Sequence, residues 1–584
     1  MESILPLIPE SAPFTVAQRL WLNGYLAGLL STSTDGPAIS SRPKVRVPVL
    51  YASQTGNSAA LAESFAEQLC SSGFDAPCFG TDDIPEFDLT SEKHVLIVSS
   101  TWGDGDPPDN AVDFWSALNS GDHPRLENLS YSVLALGDTN YLNFCAQGKA
   151  FDSRLESLGA RRISPRADCD TDFEEAAAQW FEGVLVEIRK LDQGNKSPDQ
   201  VPSGRKPVEK GYTKKNPFPA KLIENRELNS SGAMRDTRHF SLDLNGSGLT
   251  YEVGDVLGVY PRNNPLYVDE LIGILGFASD APVAVPLRGQ IPLRDALIES
   301  FDVTSLNRKV VTDWSSVSSS SYLKELVSSD DSSAIGSFVE GRELIDLVID
   351  HPSDFADPGE FISLLKPMAP RLYSISSSPR AHPGEVHLTV AKVTYETHNR
   401  HREGVCSTCL SDRIEIGQEV PVFFQSASHF RLPLDGATDV IMCGPGTGIA
   451  PFRAFLEERE ATRASGKNWL FFGNPHEATD FLYRDQLTGM CDTGVLDRLD
   501  LAWSRDGEAK IYVQDRMFEQ GAELWRWFQN GAHFYICGDA KRMAKDVDRV
   551  LHEIATTHGG LSEEGAINYI KQLTKEKRYQ RDVY

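Results

Sequence analysis

The chain has 584 residues, 40% of them apolar, which suffices for three or four domains that each bury a core. Its formal net charge of −26 argues against nucleic-acid binding, because phosphate backbones repel an acidic surface. Nine cysteines are scattered, and Cys406 and Cys409 form an isolated C-x-x-C with no second pair at metal or cluster spacing. We therefore expect no bound metal and a reducing, cytoplasmic setting.

Residues 1–44 differ in composition from the rest of the chain. Apolar side chains between Phe14 and Leu30 fall near one helical face, but polar residues interrupt this segment, which is too short to span a bilayer. No signal-peptide pattern is present, and a Ser/Thr/Gly/Pro-rich spacer follows at Ser31–Pro43. The helix could pack on its own chain or mediate self-association; we expect a homo-oligomer formed through this segment and no membrane anchor.

Residues 45–190 alternate apolar runs with helical patterns, which predicts a parallel, doubly wound sheet. The apolar runs are Val49–Ala52, Val95–Ser99 and Val133–Leu136, and the helical stretches include Ala59–Cys70 and Ala111–Leu118. Pro48 cannot donate a ladder hydrogen bond, so the first strand should begin after it. Ligand loops are expected at the carboxyl ends of these strands.

A linker at 191–219 separates this unit from a β-rich one at 220–435, whose short segments predict an antiparallel barrel with a helical insertion at 264–365. From 436 to 584 the α/β alternation returns, which predicts a Rossmann-like unit. The barrel segments are Arg238–Leu244, Asp255–Tyr260, Arg371–Ser376, Val386–Val393 and Glu419–Phe424, and the later strands are Val440–Cys443, Trp469–Gly473, Leu499–Ser504 and His533–Cys537.

Two loops have the composition of phosphate sites. The sequence GPGTGIAPFR, residues 444–453, follows an apolar strand and opens a helix, so its glycines let backbone N–H groups approach a diphosphate. In the first unit, the loop SQTGNS at 53–58 offers hydroxyls and backbone to a terminal phosphate without a metal. A single glycine loop is a weak signal, but the segment RLYS at 371–374 lies between these two loops, and three phosphate-type sites in one chain indicate several nucleotide cofactors.

Two further loops of the first unit suit a flavin ring. Trp102, in STWGDG, and Tyr141, in LGDTNYLNFC, can sandwich an isoalloxazine while Gly103, Gly137 and Asn140 bring polar backbone to its edge. Either aromatic residue alone would more often belong to the core or the surface. Together, in loops that follow consecutive strands, they predict a flavin.

With these motifs the chain resembles the diflavin NADPH reductase family over residues 45–584. The sequences SQTGNS, STWGDGDPPDN and LGDTNYLNFC resemble its FMN domain; RLYSISS (371–377) and GVCSTCL (404–410) resemble its FAD motifs. The sequences GPGTGIAPFRAF, WLFFGNP, AWSRD, KIYVQD, YICGDAKRMAKDV and RYQRDVY resemble its NADPH half. Within the family, the resemblance is greatest to flavoprotein subunits of bacterial NADPH–sulfite reductases, including the N-terminal stretch that replaces a membrane anchor.

The resemblance implies a multidomain α/β fold: a flavodoxin-like sheet, a ferredoxin-reductase-like barrel with a helical insertion, and a Rossmann-like NADPH domain. It also implies the site residues. Catalytic roles fall to Ser374, Cys537 and Asp582. FMN binding falls to Ser53, Gln54, Thr55, Gly56, Asn57, Ser58, Ser100, Thr101, Trp102, Gly103, Leu136, Gly137, Asp138, Thr139, Asn140, Tyr141, Leu142, Asn143, Phe144 and Cys145. FAD binding falls to Arg371, Leu372, Tyr373, Ser374, Thr389, Val390, Ala391, Gly404, Val405, Cys406, Ser407 and Tyr584. NADPH binding falls to Gly446, Thr447, Ser504, Arg505, Lys510, Ile511, Tyr512, Val513, Gln514 and Asp539.

The implied activity is electron transfer from NADPH through FAD and FMN to a haemoprotein, here the sirohaem and iron–sulfur subunit of an assimilatory sulfite reductase. The alternatives are a reductase of haem-thiolate monooxygenases, a general diflavin reductase, or a non-catalytic carrier or scaffold subunit. An acidic run near the FMN loops could form the docking face for that partner or simply a solvated surface. Its members are Asp82, Asp83, Glu86, Asp88, Glu92, Asp104, Asp106, Asp109 and Asp113.

Overall fold

The structure is a computed structural model that describes residues 44–54, 56–83, 88–103, 105–139, 143–192, 211–286, 288–329, 332–353, 355–427 and 429–584. The N-terminal segment through residue 43 and most of the linker therefore lie outside the described residues, as do Thr55, Glu86, Asp104, Asn140, Tyr141 and Leu142. None of the described helices combines the length and the apolar character that crossing a bilayer requires.

The first unit is a parallel, doubly wound sheet in the order β2-β1-β3-β4-β5, with β6 beside β4. Its elements are β1 (Val49–Ala52), α1 (Asn57–Ser71), β2 (Cys78–Gly80), β3 (His94–Ser100), α2 (Val112–Leu118), β4 (Ser130–Leu136), α3 (Ala146–Ser157), β5 (Arg161–Arg162), β6 (Ala167–Cys169) and α4 (Glu174–Asp192). Since β1, β3 and β4 are neighbours, the loops that follow them lie side by side at one edge of the sheet.

The start of β1 agrees with the effect expected of Pro48. Its carbonyl accepts from Leu96 N at 2.9 Å, but the strand begins one residue later, where N–H groups become available. Leu50 pairs with Ile97 in the adjacent strand, and both side chains are buried. Helices cover both faces of a doubly wound parallel sheet, and for this reason its strands are hydrophobic along their length.

The second unit is a six-stranded antiparallel sheet in the order β12-β9-β16-β7-β8-β13. A bridge between Ile375 and Leu388 connects the continuation of β12 to β13, so the sheet closes into a barrel. Its elements are β7 (Phe218–Glu227), β8 (Thr237–Asp243), β9 (Val256–Val259), β12 (Arg371–Ser374), β13 (Glu385–Ala391), the hairpin β14 (Thr394–Thr397) and β15 (Arg400–Glu403), α12 (Val405–Thr408) and β16 (Glu419–Gln425).

A largely helical insertion separates β9 from β12, at the position predicted from the sequence. Its elements are α5 (Pro265–Leu275), β10 (Pro282–Val285), β11 (Gly289–Pro292), α6 (Leu293–Glu299), α7 (Arg308–Val317), α8 (Ser321–Ser328), α9 (Ser332–Val339), α10 (Leu344–Asp350) and α11 (Pro358–Ser363). Trp314 is fully buried in its core. The buried Arg402 of β15 pairs with Glu343 and Asp346, which connects the insertion to the barrel.

The third unit is a parallel sheet in the order β19-β18-β17-β20-β21. Its elements are β17 (Val440–Cys443), α13 (Ile449–Thr462), β18 (Asn468–Asn474), α14 (Glu477–Asp480), α15 (Arg484–Thr493), β19 (Arg498–Trp503), α16 (Val513–Glu519), α17 (Gly521–Gln529), β20 (His533–Gly538), α18 (Met543–Thr557), α19 (Glu563–Lys575) and β21 (Tyr579–Val583). The C-terminus is therefore not a loose tail: Asp582 pairs with Cys537 in the register of β21 and β20.

The barrel and the third unit share a polar seam. Arg453 of α13 binds Glu457 at 2.7 Å and donates to Ser376 O at 2.5 Å, and Glu457 also lies 3.2 Å from His382 Nε2. His387 lies 3.0 Å from Glu385, close enough to His382 for a metal-like ligand set. The guanidinium of Arg453, 3.4 Å from His387 Nδ1, already supplies positive charge there and disfavours an added cation.

Candidate functional site

The loop at 53–58 joins a helix N-terminus to a buried serine hydroxyl. Gly56 has a φ of +87°, and its N–H donates to Ser53 Oγ at 3.1 Å. Helix α1 begins at the next residue, so its first-turn N–H groups face the loop. The Ser58 hydroxyl is completely buried and has no hydrogen-bond partner among the described residues. An orphaned hydroxyl at a helix N-terminus suits a phosphate, so these residues fit the terminal phosphate of FMN.

The same loop is held to the segment after β3. Gln54 Nε2 donates to Asp109 Oδ2 at 3.0 Å, and Asp109 N donates to Gln54 Oε1 at 2.8 Å. Asn110 Oδ1 accepts from Ser53 N at 2.9 Å. These contacts hold Ser53 and Gln54 against the segment that follows β3.

The loops after β3 and β4 also meet, as predicted. Thr101 N donates to Leu136 O at 3.2 Å, and Gly137 N to Cys169 O at 2.9 Å. A Cβ added to Gly137 would lie 2.8 Å from Cys145 N, so a side chain does not fit there. Cys145 is buried, and burial raises its pKa to about 12, so it is an unreactive thiol.

Only one of the two predicted ring-stacking residues can be placed. Trp102 is partly buried against the apolar core of the third unit, whereas Tyr141 lies outside the described residues. Thr139 N donates to Asp170 Oδ1 at 3.0 Å, and the Thr139 hydroxyl contacts Lys366 of the insertion. The remaining predicted residues of these loops are Ser100, Gly103, Leu136, Asp138, Asn143 and Phe144, all in the described part of the chain. The aromatic sandwich remains a prediction.

Strand β12 has two exposed residues followed by two that are partly buried. Arg371 is exposed, and among the described residues its guanidinium donates one long hydrogen bond, to Ala369 O at 3.3 Å, so it could also bind a diphosphate. Leu372 is also exposed. Tyr373 is partly buried, and burial, followed by the neighbouring Cys406, raises its pKa. It therefore remains a neutral phenol that could lie against a flavin.

Residues 404–407 form a turn, and the Ser407 hydroxyl already makes hydrogen bonds. Ser407 Oγ accepts from Val393 N at 3.1 Å and donates to Gly404 O at 3.1 Å. The serine therefore shapes the turn, and any donors to a diphosphate would come from the backbone of Gly404 to Ser407. Cys406 is buried, and burial raises its pKa to about 12, which makes it a packing residue.

In the predicted FAD segment of β13, Thr389 to Ala391, the side chains of Thr389 and Val390 are buried in the protein. Thr389 Oγ1 lies 2.6 Å from the hydroxyl of Tyr483, a residue of the third unit, and Val390 packs in the barrel core. Any contact of Thr389 with FAD would therefore use its backbone.

The three predicted catalytic residues come together at the junction of the barrel and the third unit. Ser374 Oγ donates to Asp582 Oδ2 at 2.6 Å, and Cys537 Sγ donates to the same oxygen at 3.5 Å. Cys537 is completely buried; burial and then the Asp582 carboxylate raise its pKa well above the usual range. It is therefore a thiol at neutral pH, and the carboxylate accepts two hydrogen bonds from opposite units.

The glycine loop lies against this cluster. Gly446 has a φ of +59°, and a Cβ on Gly448 would lie 2.1 Å from Cys537 O. The loop can therefore approach the end of β20 only because this residue has no side chain. Thr447 Oγ1 lies 3.0 Å from the hydroxyl of Tyr584, which is 62% exposed. The terminal tyrosine is thus held over the glycine loop, at the mouth of the cluster.

Four of the residues predicted to bind NADPH, Ser504, Arg505, Lys510 and Tyr512, lie in the segment between β19 and α16, where the cations would meet its 2′-phosphate. Arg505 and Lys510 are exposed, and among the described residues neither forms an ion pair; the Arg505 guanidinium lies 3.7 Å from the thioether of Met234. Asp506, the acidic residue that could favour the non-phosphorylated nucleotide, is 2.7 Å from His476 Nδ1 and accepts from Glu477 N at 2.7 Å. Its carboxylate is therefore committed to that turn.

Besides the two cations, the residues predicted to bind NADPH differ in how exposed they are. Tyr512 is 44% exposed beside the start of α16, whereas Val513 and Gln514 are buried. Asp539 Oδ1 accepts from Arg542 N at 2.7 Å and Met543 N at 3.1 Å, so it caps the turn before α18. Ser504 N donates to Asn474 O at 3.1 Å, and Ile511 is partly buried. Gln514 and Val513 are therefore packing residues in this segment.

Sequence reasoning missed the residues through which other units contact the FMN loops. Gln425 Nε2 donates to Asn57 Oδ1 at 3.0 Å, and a Cβ on Gly56 would lie 2.6 Å from His429 Nδ1. Arg581 Nη1 binds Asp109 Oδ2 at 2.6 Å. These pairs are hundreds of residues apart in the chain, and no local pattern marks them.

Two residues of the predicted acidic docking face form ion pairs within the chain itself, although their side chains remain exposed. Asp109 pairs with Arg581, and Asp113 pairs with Lys571. Both basic residues belong to the third unit, so the FMN-type unit is docked in this structure. A partner that uses Asp109 and Asp113 would have to displace these contacts.

Comparisons with known proteins agree with this arrangement. Family profiles match in order: flavodoxin at 49–180, an FAD binding domain at 211–409 and an oxidoreductase NAD-binding domain at 442–549. The sulfite reductase (NADPH) flavoprotein alpha-component of Bacillus subtilis (strain 168) is 43% identical, with 100% of this chain and 97% of that protein covered. The chain belongs to this flavoprotein alpha-component family.

Other relatives with the same description include those of Cronobacter sakazakii (strain ATCC BAA-894), 41% identical over 100% of this chain and 99% of the relative, and Shewanella sp. (strain ANA-3), 43% identical over 98% and 96%. For this member of the family, the predicted order of the three units, the oxidoreductase class and the cofactors FMN, FAD and NADPH are confirmed. The roles of individual residues remain proposals.

Proposed function

We propose that this chain is the NADPH-oxidising subunit of an assimilatory sulfite reductase and passes electrons to a sirohaem and iron–sulfur subunit that reduces sulfite to sulfide. The observation that carries the proposal is the cluster of Ser374, Asp582 and Cys537, where a strand of the FAD barrel meets the end of a strand of the nucleotide-binding unit. When bound, FAD accepts a hydride and FMN releases electrons singly.

The cluster has the chemistry to assist hydride donation. As a nicotinamide gives up hydride, positive charge develops on its ring, and a carboxylate partly shielded from solvent stabilises such charge more strongly than one in water. Asp582 supplies that carboxylate, oriented by hydrogen bonds from Ser374 at 2.6 Å and Cys537 at 3.5 Å. Burial and the neighbouring carboxylate raise the pKa of Cys537 well above its usual range, so the thiol keeps its proton and adds no negative charge to the cluster.

Cations of the chain are placed for the anionic ends of the cofactors. The exposed guanidinium of Arg371 would pair with the FAD diphosphate, and Arg505 and Lys510 would pair with the 2′-phosphate. The loop at 53–58 would hold the FMN phosphate through backbone N–H groups and the buried Ser58 hydroxyl. Each phosphate is thus assigned a separate set of residues.

The test is reconstitution. The purified chain, mixed with a sirohaem and iron–sulfur subunit of a related sulfite reductase, should oxidise NADPH only when sulfite is added and should form sulfide. A Ser374→Ala variant with normal flavin content should oxidise NADPH more slowly with either sulfite or ferricyanide as final acceptor. Sulfite-independent oxidation with no sulfide, but rapid reduction of a haem-thiolate monooxygenase, would favour the alternative acceptor.

We further propose that residues 1–44 mediate homo-oligomerisation and that the protein works in the cytoplasm. The basis is sequence alone, since the apolar helical pattern at 14–30 has no assigned place in the three units. Deleting residues 1–44 should lower the mass seen by sedimentation while leaving flavin content and ferricyanide reduction unchanged. An unchanged mass would remove the oligomerisation role and leave the electron-transfer assignment intact.

A further inference from the structure

The loop at 53–58 is contacted by both of the other units. From the barrel, Gln425 at the end of β16 donates to Asn57 Oδ1 at 3.0 Å. Four residues further on, the ring of His429 covers the Cα of Gly56, since a Cβ built there would lie 2.6 Å from Nδ1. From the third unit, Arg581 binds the Asp109 carboxylate that also accepts from Gln54. Gln54, Gly56 and Asn57 are therefore all involved in docking.

These contacts depend on the backbone conformation of the loop. Gly56 lies against His429 with a φ of +87°, and Asn57, whose Oδ1 meets Gln425, is the first residue of α1. The same conformation directs the first-turn N–H groups and the orphaned Ser58 hydroxyl toward an anion. The buried Ser58 hydroxyl has no hydrogen-bond partner among the described residues, and this cost destabilises the conformation until an anion binds.

We infer that docking of the FMN unit and binding of the FMN phosphate are thermodynamically coupled through the loop at 53–58, with Gln425 and His429 as positioning residues. Phosphate binding stabilises the loop conformation that the two side chains recognise. By linkage, the docked units must then raise the affinity for FMN by the same factor. This inference rests on the proposed assignment of the loop to the FMN phosphate.

The docked state of the FMN unit can be measured at an ion pair that lies outside the loop. Lys571 and Asp113 form an ion pair across the same interface, at the exposed edge, so a carbodiimide can join them in an amide bond with loss of water. The yield of that cross-link, read by mass spectrometry on the full-length FAD-loaded protein, measures the docked fraction. It should rise about threefold to tenfold when FMN is added to FMN-depleted protein, the range expected for one or two neutral hydrogen bonds.

The decisive variant combines Gln425→Ala and His429→Ala. It should bind FMN about threefold to tenfold more weakly, by titration of FMN fluorescence, and its cross-link yield should no longer respond to FMN. The matched control combines Gln290→Ala and His401→Ala, residues of the same types that are exposed and do not hydrogen-bond to the FMN unit in the described part of the chain. A second variant, Gln425→Glu, keeps the side-chain length and places a charge beside Asn57 Oδ1, and should lower FMN affinity at least as much.

The experiments distinguish a failure of the proposed coupling from a failure of the assignment of the loop to the FMN phosphate. FAD content and NADPH-driven reduction of ferricyanide verify that each variant is folded. If Ser58→Ala leaves FMN affinity unchanged, the assignment of the phosphate loop is wrong. If Ser58→Ala weakens FMN binding but the cross-link yield does not change with FMN, or the double variant binds FMN as the control does, the coupling is wrong and the assignment stands.

Discussion

Replacing Asp582 by Asn preserves the shape of the side chain and removes its charge. Ser374 Oγ donates to the carboxylate at 2.6 Å. A hydrogen bond to a charged group contributes about 1.5–3 kcal/mol and a neutral one about 1 kcal/mol, so this bond should weaken by roughly 0.5–2 kcal/mol. If the carboxylate acts in the transition state, hydride transfer should slow by about 2- to 30-fold.

The assay is anaerobic stopped-flow mixing of the oxidised enzyme with NADPH, followed by the loss of flavin absorbance. Asp280→Asn, an exposed carboxylate in the helical insertion, is the matched control. Flavin content should equal that of the parent protein, because Arg371 and the 404–407 turn are unaltered. A rate equal to that of the control, with both flavins bound, would refute a role of Asp582 in hydride transfer.

Three further outcomes follow from the structure. Changing Arg505 and Lys510 to Ala removes two charge-assisted contacts of about 1.5–3 kcal/mol each, so kcat/KM should fall far more for NADPH than for NADH; equal losses would contradict the 2′-phosphate assignment. Tyr584, whose hydroxyl lies 3.0 Å from Thr447, is expected to stack on the FAD ring, where the nicotinamide must also lie. Removing it should let the nicotinamide stay over FAD, which slows nucleotide release and eases discrimination against NADH; identical stopped-flow traces would show that Tyr584 does not gate the site. Burial, and then Arg453, lowers the pKa of His239 to about 2. The unfolded chain then binds a proton that the folded one excludes, so stability is lost as pH falls below about 6.5, by about 2 kcal/mol at pH 5. His239→Gln should flatten that pH dependence in urea unfolding followed by FAD fluorescence, and an unchanged slope would show that His239 is not its source.

Much of the fold was accessible from the sequence because buried strands and their boundaries carry local signals. Pro48 set the start of β1, and the run Val440–Cys443 before the glycine loop is the observed β17. The meeting of Ser374, Cys537 and Asp582 was expected only through the family resemblance, since no spacing rule brings residues so far apart in the chain together. The structure gives the geometry of that meeting.

Strand β21 and the contacts of the FMN unit with the other units depend on tertiary structure and could not be predicted from the sequence. The segment Tyr579–Val583 contains Gln, Arg and Asp and does not read as a strand; it becomes β21 because β20 offers a free edge for pairing. The contacts of Gln425, His429 and Arg581 with the FMN unit join different units across a linker, so neither periodicity nor motif could indicate them. They determine how the units dock rather than how each one folds.

The stoichiometry of sulfite reduction tests the central claim most directly. With a sirohaem and iron–sulfur subunit present and oxygen excluded, NADPH oxidised and sulfide formed should be measured in the same reaction. Reduction of sulfite to sulfide takes six electrons, so the account predicts about three NADPH per sulfide, with no sulfide when the FMN unit is emptied of FMN. NADPH consumption without sulfide, or sulfide formation that continues after FMN removal, would contradict the proposed path from NADPH through FAD and FMN to the haemoprotein.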